Sequence, residues 1–267
     1  MKNTHSNIAM LTTVINFDFY NKTVNLFPEN IPYYIIDGRN GMHGIHSLFY
    51  AFKKLKNKGI EWLIMADEDV IFQNAKSVFG IIDFMKNNKY TVCGVRDGGV
   101  IDHRNNNPHL INTFFSIINF KEVSNYFNKK EILKNQYVIE GEFKDEFYAP
   151  FKYDSQSLYE PYYCFYFWLR RKGVNILFLE AEMYGDDQLS NTVMDHFGET
   201  FLIHTWHARS YGINKKHTQR INRILNETKI EIKQHNKIYV LRSKTFVIVQ
   251  KFKKLQRRFS RYFKLIQ

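Results

Sequence analysis

The chain has 267 residues and a mass of 32.0 kDa, with 44% hydrophobic and 16% aromatic side chains, enough for one large domain or a domain with an appendage and too apolar for a disordered chain. Its two cysteines, Cys93 and Cys164, exclude a disulfide framework and make a reducing cytosol the expected compartment; Met1–Ser6 is polar, unlike a secretory leader, and no apolar run approaches the roughly 20 residues of a spanning helix. The net charge of +12 is concentrated at one end: after Glu231 there are eleven basic residues and no acidic one, so the body is nearly neutral.

In chain order, Ile8 to Asn16 reads as a first strand and Pro32 to Asp37 as a second, stopped by Gly38. Ile45 to Lys56 reads as a helix, with Ile45, Leu48, Phe49, Phe52 and Leu55 on one stripe. Trp62 to Ala66 is a short apolar run after Gly59 and reads as a buried strand. Asn74 is read as the cap of a helix whose inward face is Val78, Ile81, Ile82 and Met85, and Tyr90 to Val95 as the next strand. The middle, 96–154, is less regular, with the polar stretch 104–108 followed by a strand-like Ile111 to Phe120. Glu160 to Lys172 reads as a helix with Pro161 in its first turn, ended by Gly173. A strand at Val174 to Leu179 and a short extended Phe201 to His204 follow. Strands alternating with helices imply a mostly parallel sheet covered by helices, whose ligands sit at the carboxyl ends of the strands. Thr12, Thr13, Asp37 and Asp67 to Asp69 all fall near such ends.

Asp67-Glu68-Asp69, at the mouth of the third strand, is the most telling motif. Side chains alternate along a strand, so Asp67 and Asp69 point one way and Glu68 the other. Two adjacent carboxylates repel each other. A hard divalent cation such as Mg²⁺ or Mn²⁺ resolves that conflict, and one holding few protein ligands is suited to gripping a diphosphate.

The first strand IAMLTTVIN, the helix and Gly59 before WLIMADEDVIF, and the late segment FLIHTWHARSYG together resemble glycosyltransferases of the GT-A fold, of the kind that build bacterial surface polysaccharides. The resemblance spans Ile8 to about Gly212 and points to no particular family within that fold. It implies a Rossmann-like α/β domain over 1–215, with 216–267 as a basic helical extension. It implies transfer of a sugar from a nucleotide-diphosphate donor to a glycan or lipid-linked acceptor, with Mn²⁺ or Mg²⁺ as cofactor. The metal falls to Asp67, Asp69 and His204, with Asp69 the direct ligand, Asp67 touching ribose or a metal-bound water, and His207 in reserve. Donor contacts fall to Thr12, Asp37, Arg39, Asp67, Glu68 and Arg209, and the cationic Arg209, Lys215 and Lys216 would close over the departing diphosphate. An inverting reaction needs a base, for which Glu160 is the first candidate and Asp154 the second. The acidic pair usual at that place is missing, since Pro161 follows Glu160. Gly185-Asp186-Asp187 reads as ordinary loop acidity.

In the tail, Phe252, Leu255, Phe259, Phe263 and Ile266 recur at helical spacing, flanked by lysines and arginines. A basic amphipathic helix of this kind lies on anionic membrane surfaces, making a peripheral protein at the inner face of the cell membrane the expected location. Nucleic acid is the competing partner, disfavoured by the neutral body and the regular apolar stripe. A sugar-phosphate nucleotidyltransferase would want glycines after the first strand, and 16–25 contains none.

Overall fold

A computed structural model describes residues 7–228 and 237–264. The elements in chain order are β1 (Ile8–Val14), α1 (Phe17–Thr23), β2 (Tyr33–Asp37), α2 (Ile45–Leu55), β3 (Trp62–Ala66), β4 (Val70–Phe72), α3 (Ser77–Asn87), β5 (Val92–Arg96), β6 (Ile111–Asn119), α4 (Phe120–Tyr126), α5 (Lys129–Lys134), α6 (Tyr163–Arg171), β7 (Ile176–Leu179), β8 (Ala181–Met183), β9 (Asn191–Met194), β10 (Thr200–His204), α7 (Lys215–Glu227), β11 (Ile238–Leu241) and α8 (Phe246–Lys264).

Seven strands form the main sheet in the order β11-β2-β1-β3-β6-β5-β7. All neighbours are parallel except those of β6, which runs antiparallel to both β3 and β5. This is the expected mostly parallel, helix-covered α/β sheet, consistent with a GT-A-like Rossmann fold. Both faces are buried, which is why its strands read as continuous apolar runs. Ile8, Met10, Trp62 and Ile64 point into one core layer with α3 and α7, whereas Ala9, Leu11, Leu63 and Met65 point into the other with α2 and α6.

A second, antiparallel sheet in the order β4-β10-β9-β8 was not legible from the pattern of strands. It is what positions the site. β4 begins directly after Asp69 and pairs with β10 so that Val70 faces His204. The late histidine is thereby carried to the acidic motif, more than 130 residues away in the chain.

Local differences from the sequence expectations have simple causes. Asn16 accepts the amide of Phe19 and starts α1, a short helix hidden among aromatics. Asn74 does not cap α3 through its side chain; its carbonyl accepts the Ser77 amide at 3.2 Å instead. α6 starts at Tyr163, and Glu160 and Pro161 sit in the turn before it.

α7 and β11 are built into the body. Ile221, Ile224 and Leu225 of α7 enter the core. β11 extends the main sheet beyond β2, with Tyr239 stacked on Tyr34 at 5.1 Å. α8 covers most of the expected amphipathic stretch; Ile266 lies outside the described residues.

Candidate functional site

A cleft of about 810 Å³ opens at the carboxyl ends of β1 and β3. Its walls come from the end of β1 (Thr13, Ile15), the start of α2 (His43 to Leu48), the Asp67–Asp69 turn, the start of β6 (Asn112 to Phe114), Arg104 with Glu160, and the segment after β10 (Trp206 to Ser210).

The three acidic residues of the motif have three different fates. Asp67 lies in the cleft, and among the described residues no donor bonds to its carboxylate. Burial first, then the Asp69 and Glu68 charges, push its pKa well above the ordinary range, with Arg209 pulling the other way. Glu68 turns inward and is 4% exposed. Its oxygens accept the amides of Ile15 at 2.7 Å and Asn16 at 3.0 Å, closing the β1–α1 turn. Burial raises it to about 7 despite those two bonds. Expected as a donor contact, Glu68 is among the residues that line the cleft, but in the turn between β3 and β4 it has both of its oxygens engaged by backbone amides.

Asp69 is 6% exposed. Its Oδ1 is 3.3 Å from His204 Nε2, and its Oδ2 accepts the Ala208 amide at 3.2 Å. Burial alone would raise its pKa, but His204 and the Ala208 amide outweigh that and hold it below the usual value. His204 is stacked on Phe114 at 4.0 Å and tilted against Trp206 at 4.2 Å, and its Nδ1 is buried without a partner.

The chain must turn sharply after β10 for Ala208 to reach Asp69. Trp206 and His207 both take left-handed backbone angles, with φ of +57° and +63°. Non-glycine residues pay of order 1–3 kcal/mol each for strained backbone of this kind. Thr205 secures one side of the turn by bonding the Asp69 carbonyl through its amide at 3.0 Å and its hydroxyl at 3.1 Å. Arg220 of α7 secures the other, donating to the carbonyls of Thr205 and Trp206 while paired to Asp187 at 3.2 Å. Asp187, read as ordinary loop acidity, is thus part of the scaffold behind the turn.

The donor set suits a divalent ion in a restricted sense. A bare carboxylate strained by like charges is what a cation relieves. The 3.3 Å between Asp69 Oδ1 and His204 Nε2 is near the edge of about 3 Å between neighbouring ligands of an octahedral ion with bonds of about 2.1 Å. Among the described residues, however, no three His, Cys, Asp or Glu side chains cluster closely enough to hold an ion by themselves. Asp67, Asp69 and His204, expected as one ligand set, do not close into one. An ion here would take its remaining ligands from phosphate and water, as Mg²⁺-type sites do.

The remaining expected residues divide sharply. Arg209 lines the cleft with a guanidinium that makes no hydrogen bond or ion pair among the described residues, and its charge is felt at Asp67 and His43. Glu160 also lines the cleft, 3.1 Å from Arg104. Thr12 does not reach it: it is 2% exposed, and its neighbour Thr13 lines the cleft in its place, a consequence of strand alternation. Asp37 and Arg39 pair with each other at 2.7 Å, Arg242 adds a third partner at 3.1 Å, and neither Asp37 nor Arg39 lines the cleft. Asp154 lies in an exposed turn, accepting the Gln156 amide at 2.9 Å, away from the cleft.

Arg104 emerges as a site residue for which only the polar stretch 104–108 gave any signal. Asp97, fully buried, takes Arg104 Nε and Nη2 at 2.8 Å, Asn112 Nδ2 at 2.6 Å and the hydroxyls of Tyr162 and Tyr163. The guanidinium thus fixed lies 5.5 Å from the Trp206 ring, and the same Nη2 that bonds Asp97 also donates to Glu160 at 3.1 Å. His43 and Trp206 also line the cleft; Trp206 belongs to the late segment FLIHTWHARSYG, whereas no motif announces His43.

No family model matches the chain, and no curated protein sequence matches it. Solved structures do show likeness. The mannosyltransferase PcManGT from Pyrobaculum calidifontis, in complex with GDP-Man and Mn²⁺, aligns with a TM-score of 0.34 and 6% identity over 46% of this chain and 48% of that one. A glycosyltransferase involved in glycosylation of the major capsid of PBCV-1 aligns with a TM-score of 0.33 and 17% identity over 45% and 63%. The protein A197 from STIV aligns with a TM-score of 0.37 and 15% identity over 73% and 93%. The chain therefore spans less than two thirds of the length of the first two.

Proposed function

We propose that this chain is a metal-dependent glycosyltransferase that takes a sugar from a nucleotide-diphosphate donor and passes it to a glycan or lipid-linked acceptor in cell-surface polysaccharide synthesis. The observation that carries this reading is the Asp67 carboxylate, without a hydrogen-bond donor among the described residues, beside Asp69 at the mouth of β3 in a cleft of about 810 Å³ that Arg209 also lines. Asp69 and His204 would hold Mn²⁺ or Mg²⁺, with Asp67 beside them; when bound, the ion neutralises the donor diphosphate. Arg209, without a hydrogen-bond or ion-pair partner among the described residues, stabilises the charge that grows on the departing diphosphate. If the transfer inverts the anomeric centre, Glu160, which lines the cleft 3.1 Å from Arg104, would take the proton of the acceptor hydroxyl. Asp154 has no such place. The basic C-terminal helix holds the protein at the cytoplasmic face of the membrane, where such acceptors are made.

A thermal-shift panel of nucleoside diphosphates and their sugars, each with and without Mn²⁺, tests the reading. A fitting nucleotide present at 100 times its Kd stabilises by about 2.7 kcal/mol. The expected result is a shift that needs both nucleotide and metal. A panel that shifts nothing, or a shift indifferent to metal, overturns it.

A further inference from the structure

The C-terminal strap joins the rim of the cleft. β11 is hydrogen-bonded into the sheet beside β2, Arg242 pairs with Asp37, and Phe246, the first residue of α8, packs edge-on against His46 at 5.5 Å. His46 itself lines the cleft. From that fixed point α8 runs for 19 residues, about 28 Å at 1.5 Å per residue. Ile248, Phe252 and Leu255, spaced along one helical face, are 55%, 64% and 47% exposed, with Lys251 and Lys254 exposed between them. Among the described residues no helix is long and apolar enough to cross a membrane.

The opposite rim repeats the same chemistry. After Arg209, the loop into α7 carries Ile213 at 85% exposure, followed by exposed Lys215 and Lys216. His43 and His46 line the same cleft as Arg209 and Ser210, so the two segments flank one mouth. Exposed isoleucine and phenylalanine set among lysines and arginines are costly in water and favourable at an anionic lipid interface, where apolar side chains insert and cations meet headgroups.

We infer that the mouth of the cleft, flanked by the 209–216 loop and the start of α8, docks face-on against an anionic lipid bilayer. The acceptor then arrives from the membrane, as an amphiphile whose head group enters the cleft while its tail stays in the bilayer. This deepens the glycosyltransferase reading and rests on it for the identity of the acceptor. The docking itself does not depend on that reading.

The test uses the full chain carrying a fluorophore through Ile213→Cys at the rim or, separately, through Lys58→Cys at the far end of the sheet. Both native cysteines are fully buried and give no background labelling. Vesicles of mixed phosphatidylcholine and phosphatidylglycerol contain a nitroxide lipid as quencher. The protein is expected to float with these vesicles and not with pure phosphatidylcholine. The rim label should be quenched severalfold more than the far label. Phe252→Glu with Leu255→Glu should abolish flotation and, both positions being exposed, leave the melting temperature unchanged. Equal quenching at both labels, flotation unaffected by the double substitution, or binding to single-stranded RNA with no flotation would each overturn the inference. Failure of the glycosyltransferase reading would show in the nucleotide thermal shifts, which no vesicle measurement reports.

Discussion

Asp67→Asn and Asp69→Asn alter two chemically identical side chains two residues apart, yet their expected effects on the ligand-free protein have opposite signs. Asp67 has no partner among the described residues and sits against two other carboxylates, so asparagine removes an isolated, repelled charge. We expect a gain of about 1 kcal/mol, within the usual range for relieving a strained functional site. At roughly 2–4 °C per kcal/mol for a chain of about this size, the melting temperature rises by a few degrees. Asp69 holds His204 and the Ala208 amide, so asparagine there leaves buried groups poorly matched and costs about 1–3 kcal/mol. The pH dependence follows from the two shifts. Asp67 is raised, so its favourable protonated form is fully present below the ordinary carboxylate pKa of 3.8 and lost as pH rises through the folded value; the benefit of Asp67→Asn therefore grows with pH. Asp69 is lowered, so its contribution is present above 3.8 and lost as pH falls through the folded value; the penalty of Asp69→Asn fades in acid. Both variants should lose the stabilisation by nucleoside diphosphate with Mn²⁺. Differential scanning fluorimetry across pH, with EDTA and with Mn²⁺ plus nucleotide, reads all of these. Shifts of the same sign in the ligand-free protein, or an intact metal-dependent shift in Asp67→Asn, would refute the reasoning.

Glu160→Gln should lower kcat by about 10²–10⁴, the usual contribution of a general base, while Asp154→Asn changes it little, measured as nucleoside diphosphate release from the donor that gives the largest thermal shift. Arg220→Ala removes the bonds that hold the strained turn at Trp206 and His207; it should cost about 2 kcal/mol in urea unfolding and weaken the metal-dependent nucleotide shift, because Ala208 no longer holds Asp69 in place. Glu68, raised from 4.5 to about 7 chiefly by burial, makes ligand-free stability fall as pH rises between those values, by up to about 3 kcal/mol. Glu68→Gln should flatten that slope in chemical denaturation series at fixed pH.

The strands and helices of the main sheet were legible because each carries its own burial pattern. Trp62 to Ala66 matches β3 residue for residue, and the helices from Ile45 and around Val78 to Met85 present the expected apolar faces. The place of the acidic motif directly after β3 was also legible, but Asp67 to Asp69 form a turn between β3 and β4, closed by the Val70 amide on the Asp67 carbonyl at 3.2 Å, so strand alternation does not set their directions. Alternation within β1, counted one residue off at Thr12 and Thr13, shows how little shift separates a cleft residue from a buried one. Asp37, Arg39 and Arg242 could not be read as a mutually satisfied cluster, because Arg242 follows β11, about 200 residues further along the chain.

Local spacing in the chain was sufficient to announce carboxylates at a strand mouth, an apolar stripe in a basic tail and a two-faced sheet, because those depend on periodicities of two and three to four residues. Pairing of β4 with β10, the left-handed turn that brings Ala208 to Asp69, the Asp97–Arg104–Glu160 chain and the return of β11 to the sheet edge belong to tertiary structure. Each joins segments dozens of residues or more apart, and which of many polar side chains meet there is decided by strand register and packing, for which no short stretch of sequence carries the information.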